Sequence, residues 1–206
     1  MRATNIKATR MELLNQRKRL RVARRGHDLL KDKRDDLMKH FLGMIEAVLS
    51  LRRGVEEKLE QGYRSAIKTE ALMGEKRLNA ALYPRPVLEV EVETSHIGGV
   101  PVPKLRLLYE EKRGYSLSTT PAELDRMTSI FKDIAADLVK LAEAERAIAL
   151  LSVEIERTRR RVNALEHIVI PQIEDTVRYI YMKLEEMERS NFYTLMRFKQ
   201  MAEASQ

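Results

Sequence analysis

The chain has 206 residues, of which 33% are charged, 44% hydrophobic and only 5% aromatic, a balance that belongs to a coiled coil rather than to one or two aromatic-cored domains. It holds no cysteine and so no disulfide framework, and no stretch approaches the roughly 18 apolar residues of a membrane span. The formal net charge of +7 is unevenly placed, because thirteen Lys/Arg face five acids up to His40, whereas nine basic residues balance nine acidic ones from Leu151 onward.

The opening Met1-Arg2-Ala3-Thr4-Asn5 lacks the apolar segment of a signal peptide, which fits a cytoplasmic location. Thr9-Arg10-Met11-Glu12 is a capping-box pattern, so a first helix is expected to start there. Leu13, Leu20, Leu30, Leu37, Phe41, Met44, Val48, Leu51, Val55, Leu59, Tyr63 and Ile67 continue an apolar face at helical spacing. Gly26, Gly43, Gly54, Gly62 and Gly74 lie along the same tract, each costing about 1 kcal/mol relative to Ala, which implies close helix contact or permitted bending. A fray or turn is expected between Gly62 and Asn79, giving an N-terminal arm over residues 1–79.

Residues 80–119 form a central hairpin and loop region. In Val87-Leu88-Glu89-Val90-Glu91-Val92-Glu93 apolar and acidic residues alternate, the two-residue period of a strand with one wet face. Gly98-Gly99 reads as a turn, and Lys104-Leu105-Arg106-Leu107 alternates with the opposite charge, so glutamates are expected to face basic residues across an antiparallel pair. Pro101 and Pro103 suit an exposed edge. A lone hairpin is marginal in water, so this one should pack on a helix or another subunit.

The C-terminal arm spans residues 120–206 and opens on a second capping box, Thr120-Pro121-Ala122-Glu123. Its stripe runs Leu124, Met127, Phe131, Ile134, Leu138, Leu141, Ala144, Ile148, Leu151, Ile155, Thr158, Val162, Leu165, Val169, in steps of three and four. The two three-residue steps from Leu138 to Ala144 read as a stammer that tightens the supercoil. A helix on the order of 80 residues reaches roughly 120 Å at about 1.5 Å per residue, more than a globular domain needs. Pro171 clashes with the carbonyl of His167 in a regular helix; because apolar positions resume at Ile173, Val177, Ile180, Leu184 and Met187, a kink is favoured over an end. Two such arms bury their seams by folding back antiparallel, which gives a mostly α chain: a long two-helix coiled coil with a small central β-hairpin. Arg19, Arg21, Arg24 and Arg25 are expected opposite Glu185, Glu186 and Glu188.

Chemistry-bearing motifs are sparse. No G-x-x-x-x-G-K-[ST] loop occurs, and Gly98-Gly99 precedes no helix, so no phosphate cradle and no nucleotide hydrolysis by this chain are expected. His27, His40, His96 and His167 form no i, i+4 pair for a metal, and the adjacent acids Asp35-Asp36 and Glu185-Glu186 do not converge. No cofactor is expected.

Arg157-Thr158-Arg159-Arg160-Arg161-Val162-Asn163-Ala164-Leu165-Glu166, followed by Ile170-Pro171, resembles the D-subunit family of the V-type and A-type rotary ATPases. Thr9-Arg10-Met11-Glu12-Leu13 and Arg25-Gly26-His27-Asp28-Leu29-Leu30-Lys31-Asp32-Lys33-Arg34-Asp35 are similar to that family's first helix, with Ala8 where a proline is common. The resemblance covers essentially the whole chain and implies a non-catalytic central rotor shaft of the central stalk, coupling ATP hydrolysis or synthesis to transport of H+ or Na+. It implies as partners the catalytic and non-catalytic nucleotide-binding subunits of the ATPase ring, the F subunit of the central stalk, and the socket subunit of the membrane rotor. The chain is then peripheral to the membrane, without insertion. Arg10, Arg17, Arg21, Arg157, Arg160 and Arg161 are the expected ring-facing residues; Val90, Val92, Gly98, Gly99, Leu105 and Leu107 are the expected stalk-partner or regulatory surface. Two rivals are a basic coiled coil that tracks nucleic-acid phosphates and the stalk of a related export ATPase. Asp28, Asp32, Asp35 and Asp36 interleave with the basic residues, and no aromatic stacking platform accompanies them, which argues against the first. The hairpin and the Arg157–Pro171 segment argue against the second.

Overall fold

The computed structural model describes residues 7–83, 88–109, 115 and 120–204. Helix α1 spans Arg10–Met73, α2 Glu75–Ala81, strand β1 Leu88–Ile97, β2 Val100–Tyr109, α3 Ala122–Ala164 and α4 Ile170–Ala204, with a π-helical turn over Leu165–Val169. Two compact units result, one of Met1–Asp35 with Glu156–Gln206 and one of Asp36–Ile155. Val87, the expected first strand residue, lies outside the described residues.

Thr9 caps α1 as its sequence requires: its Oγ1 accepts from the Glu12 amide at 3.2 Å, and its carbonyl accepts from Leu13. The reciprocal half of the box is not made. The Glu12 carboxylate instead accepts from buried Gln16 Nε2 at 2.7 Å, and the Thr9 amide donates to the Lys7 carbonyl.

In the Asp36–Ile155 unit α1 and α3 pair antiparallel. Leu37 packs with Leu151 and Ile155, Val48 and Val55 with Leu141, and further along α2 supplies Leu78 to Leu124 and Met127. The α1 seam takes a seven-residue step through Val48, Val55, Gly62 and Thr69, all buried. At Gly62 an added Cβ would lie 3.0 Å from Ile134 Cδ1 and 3.4 Å from Phe131 Cζ, so this glycine sets how closely α1 approaches α3. Because Gly62 and Thr69 occupy the inner positions, Tyr63 and Ile67 are turned out, 62% and 67% exposed, contrary to the sequence expectation. Leu138, at the expected stammer, is likewise exposed, and Ala147 is buried in its stretch. The break in the first arm falls at Gly74, whose φ of 76° ends α1, since a Cβ would disfavour that conformation.

The hairpin forms as the alternation predicts. Gly98 and Gly99 take φ of 57° and 79°, the left-handed pair of a two-residue turn that matches the twist of its strands. Glu93 lies opposite Lys104 and Glu91 opposite Arg106, and Arg106 reaches Glu93 at 4.0 Å. Val100 is buried with Leu37, Leu151 and Ile155, and Ile97 packs on the same cluster, which seats the tip of the hairpin on α1 and α3. The Leu105 amide donates to Glu143 Oε2 at 2.8 Å, tying β2 to α3.

In the other unit α1 pairs antiparallel with α4 and the end of α3. Arg10 meets Glu188 at 2.6 Å and Arg24 meets Glu174 at 2.7 Å. Arg24 therefore does not lie opposite Glu185, Glu186 and Glu188 as its charge alone suggests: exposed ion pairs are too weak to set the register, which the buried seam through Thr158, Val162 and Ile180 fixes instead. Helix does not end at Pro171. The π-turn precedes it, with the Ile170 amide donating to the Leu165 carbonyl five residues back, and this widening relieves the clash that proline makes in a regular α-helix.

Alanine at Gly98 combines a left-handed backbone with a Cβ 2.7 Å from Leu37 Cδ2, whereas at Gly99 it meets nothing within 4 Å. Gly98→Ala is expected to cost more than Gly99→Ala, each losing about 1–2 kcal/mol to backbone strain; urea unfolding of the two variants checks the order. In the same unit a hydrogen bond from Lys58, then one from Lys140, holds the Asp137 carboxyl below its ordinary value, and the bond to Asp137 raises Lys58. A depressed carboxylate pKa stabilises the fold above the ordinary value of 3.8, and that contribution is lost as pH falls through the lower folded value. Asp137→Asn is expected to lower the thermal midpoint at neutral pH and to converge with the parent as pH falls below the depressed folded value of Asp137, read by calorimetry across pH.

Candidate partner-binding surfaces

In the Met1–Asp35 with Glu156–Gln206 unit, an open cleft is lined by Arg17, Leu20 and Arg24 of α1 and by Glu174, Val177, Arg178 and Tyr181 of α4. The antiparallel pairing brings three guanidinium groups to one apolar-floored groove, with Glu174 engaged by Arg24. Such an array receives carboxylates, since guanidinium presents paired donors to them. Of the expected ring-facing residues, Arg17 sits in this cleft. Arg10 is at the Glu188 pair, and Arg21 is exposed on α1 outside the lining. Arg157, Arg160 and Arg161 are exposed near the C-terminal end of α3, and Arg160 bonds Glu156 one turn earlier on its own helix. Sequence reasoning misses Arg178 and Tyr181, whose membership of the cleft depends on register rather than on any local motif.

Beyond that cleft, every described side chain from Glu185 to Glu203 is exposed. Phe192, Tyr193, Leu195, Met196, Phe198 and Met201 are 50–68% exposed. At 3.6 residues per turn they leave no azimuth wider than about 80° without a large apolar group. The tip of α4 therefore offers large apolar groups in every direction, interleaved with Arg189, Asn191, Thr194, Arg197, Lys199 and Gln200. The regular apolar spacing read from the sequence stops at Met187, short of this segment.

His27 lies beside the π-turn, its Nδ1 3.2 Å from Asp28 and its buried Nε2 3.6 Å from Glu166, beyond hydrogen-bond reach. Among the described residues no group of three or more His, Asp or Glu is placed to hold a metal, and no helix is long and apolar enough to cross a membrane.

On the hairpin, Val90 and Val92 are exposed and Leu105 and Leu107 half-buried. Register places Val90 opposite Leu107 and Val92 opposite Leu105, so these four share one face. Gly98 and Gly99 form the turn that sets this register.

The family model for the ATP synthase D subunit matches residues 12–200. The chain belongs to the ATP synthase D-subunit family. The V-type ATP synthase D subunit of Clostridium novyi (strain NT) is 42% identical, covering 100% of this chain and 99% of its own length. That of Clostridium botulinum (strain Langeland / NCTC 10281 / Type F) is 44% identical, over 98% of this chain and 97% of its own. The A-type ATP synthase D subunit of Thermococcus kodakarensis is 40% identical, over 97% and 96%.

Proposed function

We propose that this member of the D-subunit family is the non-catalytic central rotor shaft of a V/A-type ATPase or ATP synthase. The observation that carries the reading is the end of α4, a single helix exposed on all sides and carrying large apolar groups around its whole circumference among polar ones, which a surrounding ring of subunits would enclose. The arginine cleft beside it supplies contacts for acidic segments of the catalytic and non-catalytic nucleotide-binding subunits, with Arg10, Arg17, Arg21, Arg157, Arg160 and Arg161 facing the ring. The hairpin side serves the F subunit of the stalk and the socket subunit of the membrane rotor, so the chain is peripheral to the membrane. Coupling follows if each shaft angle contacts one catalytic interface differently, because only differential contact shifts the population of nucleotide states. Similarity along the whole chain supports this reading over a nucleic-acid-binding coiled coil or an export-ATPase stalk.

Removal of residues 188–206 is expected to leave the fold intact, because none of its described side chains is buried. In the reconstituted complex, ATP-driven ion transport should fall by about tenfold or more, a loss of at least roughly 1.4 kcal/mol in coupling. Transport at the parental rate would overturn the placement of this end in the ring. The purified chain alone is expected to show no ATP hydrolysis and to restore it to a ring lacking its shaft.

A further inference from the structure

The hairpin has one closed edge and one open edge. In an antiparallel ladder backbone amides alternate between pointing at the partner strand and pointing away. The Leu105 amide, which donates to Glu143 rather than to β1, identifies the outward-pointing set on β2. Pro101 and Pro103 lie four and two residues earlier, in that same set, so their missing amides cost the ladder nothing. Two prolines and one occupied amide close the outer edge of β2.

On β1 the residues opposite are Val90, Val92, Thr94 and His96. Their amides point away from β2, and among the described residues none has a hydrogen-bond partner. Val90 and Val92 are 46% and 67% exposed. A ten-residue strand with neither proline nor bulge on its open side is the arrangement that proteins normally protect from further pairing. Its protection is chemical: Glu89, Glu91 and Glu93 are exposed along the face away from Val90 and Val92. Two β1 edges paired antiparallel would set glutamate against glutamate, which disfavours a second copy. An incoming strand with Lys or Arg on that face and apolar residues on the other meets complementary groups on both.

We infer that the outer edge of β1, from Val90 to His96, is a docking rail for one extended segment of another protein of the complex, a segment in which basic and apolar residues alternate. Main-chain hydrogen bonds supply the binding, and the glutamate row with Val90 and Val92 supplies the selectivity. This rests on the reading of the hairpin as a partner-binding element.

Hydrogen exchange of the purified chain and of the complete complex tests it. The amides of Val90, Val92 and Thr94 are expected to exchange about 100-fold more slowly in the complex. Equal rates in the two samples would overturn the inference. Val92→Pro removes an outward amide while sparing the ladder, so the hairpin should keep its exchange protection at Glu91 and Glu93 while recovery of complex falls about tenfold; Val92→Thr, which retains the amide and changes only the side chain, should lose much less. Normal recovery with Val92→Pro, when deletion of residues 88–109 abolishes assembly, would leave the hairpin a docking element but overturn edge pairing. A deletion without effect on assembly or turnover would remove the hairpin reading itself. Dimers of the purified chain that Val92→Pro dissolves would make the occupant a second copy and likewise overturn the inference.

Discussion

Burial of the α3 stripe against α1 is the constraint on which the Asp36–Ile155 unit depends. Leu151 and Ile155 close over Leu37, and that cluster in turn receives Val100 and Ile97 from the hairpin. A two-stranded hairpin has too little apolar surface to persist in water by itself. Here it borrows a core already made by two helices, and the Glu143 carboxylate takes up a main-chain amide that would otherwise face α3 unpaired. Lose the helix pairing and the strands lose their support.

Helical seams and strand alternation are legible in the sequence because both are periodic and densely marked. The α3 stripe from Leu124 to Val162 and the alternation in Leu88–Glu93 each repeat often enough that one misplaced residue does not obscure them. What escapes is carried by residues that do not advertise burial. Gly62 and Thr69 hold inner positions of α1, one because the helices touch there and the other with its hydroxyl bonded to the Ser65 carbonyl, so an apolar pattern selects Tyr63 and Ile67 instead. Between the arms, register escapes for another reason. Charges at the surface admit many pairings of similar energy, and only the interlocking of buried side chains distinguishes them. The arginine cleft inherits that register, which is why Arg178 and Tyr181 have no signature in the sequence. At Pro171 the residue announces a disturbance but not its form, since a kink, an end and a π-turn all answer the same steric conflict.

Polar and apolar surfaces divide the labour in this chain. Ion pairs such as Arg10 with Glu188 and Arg24 with Glu174 are exposed and contribute little to holding the helices together. Their guanidinium groups are placed where competing carboxylates have access, and a long-range field from the basic first arm adds to the attraction. Apolar residues outside the seams are exposed on the hairpin face and along the last turns of α4, where contact area rather than charge would govern any association.

The encircling distribution of Phe192, Tyr193, Leu195, Met196, Phe198 and Met201 also bears on the chain before it is assembled. A copy on its own displays large apolar groups at this helix end that nothing among the described residues covers, which exposes the unassembled chain to clumping and proteolysis.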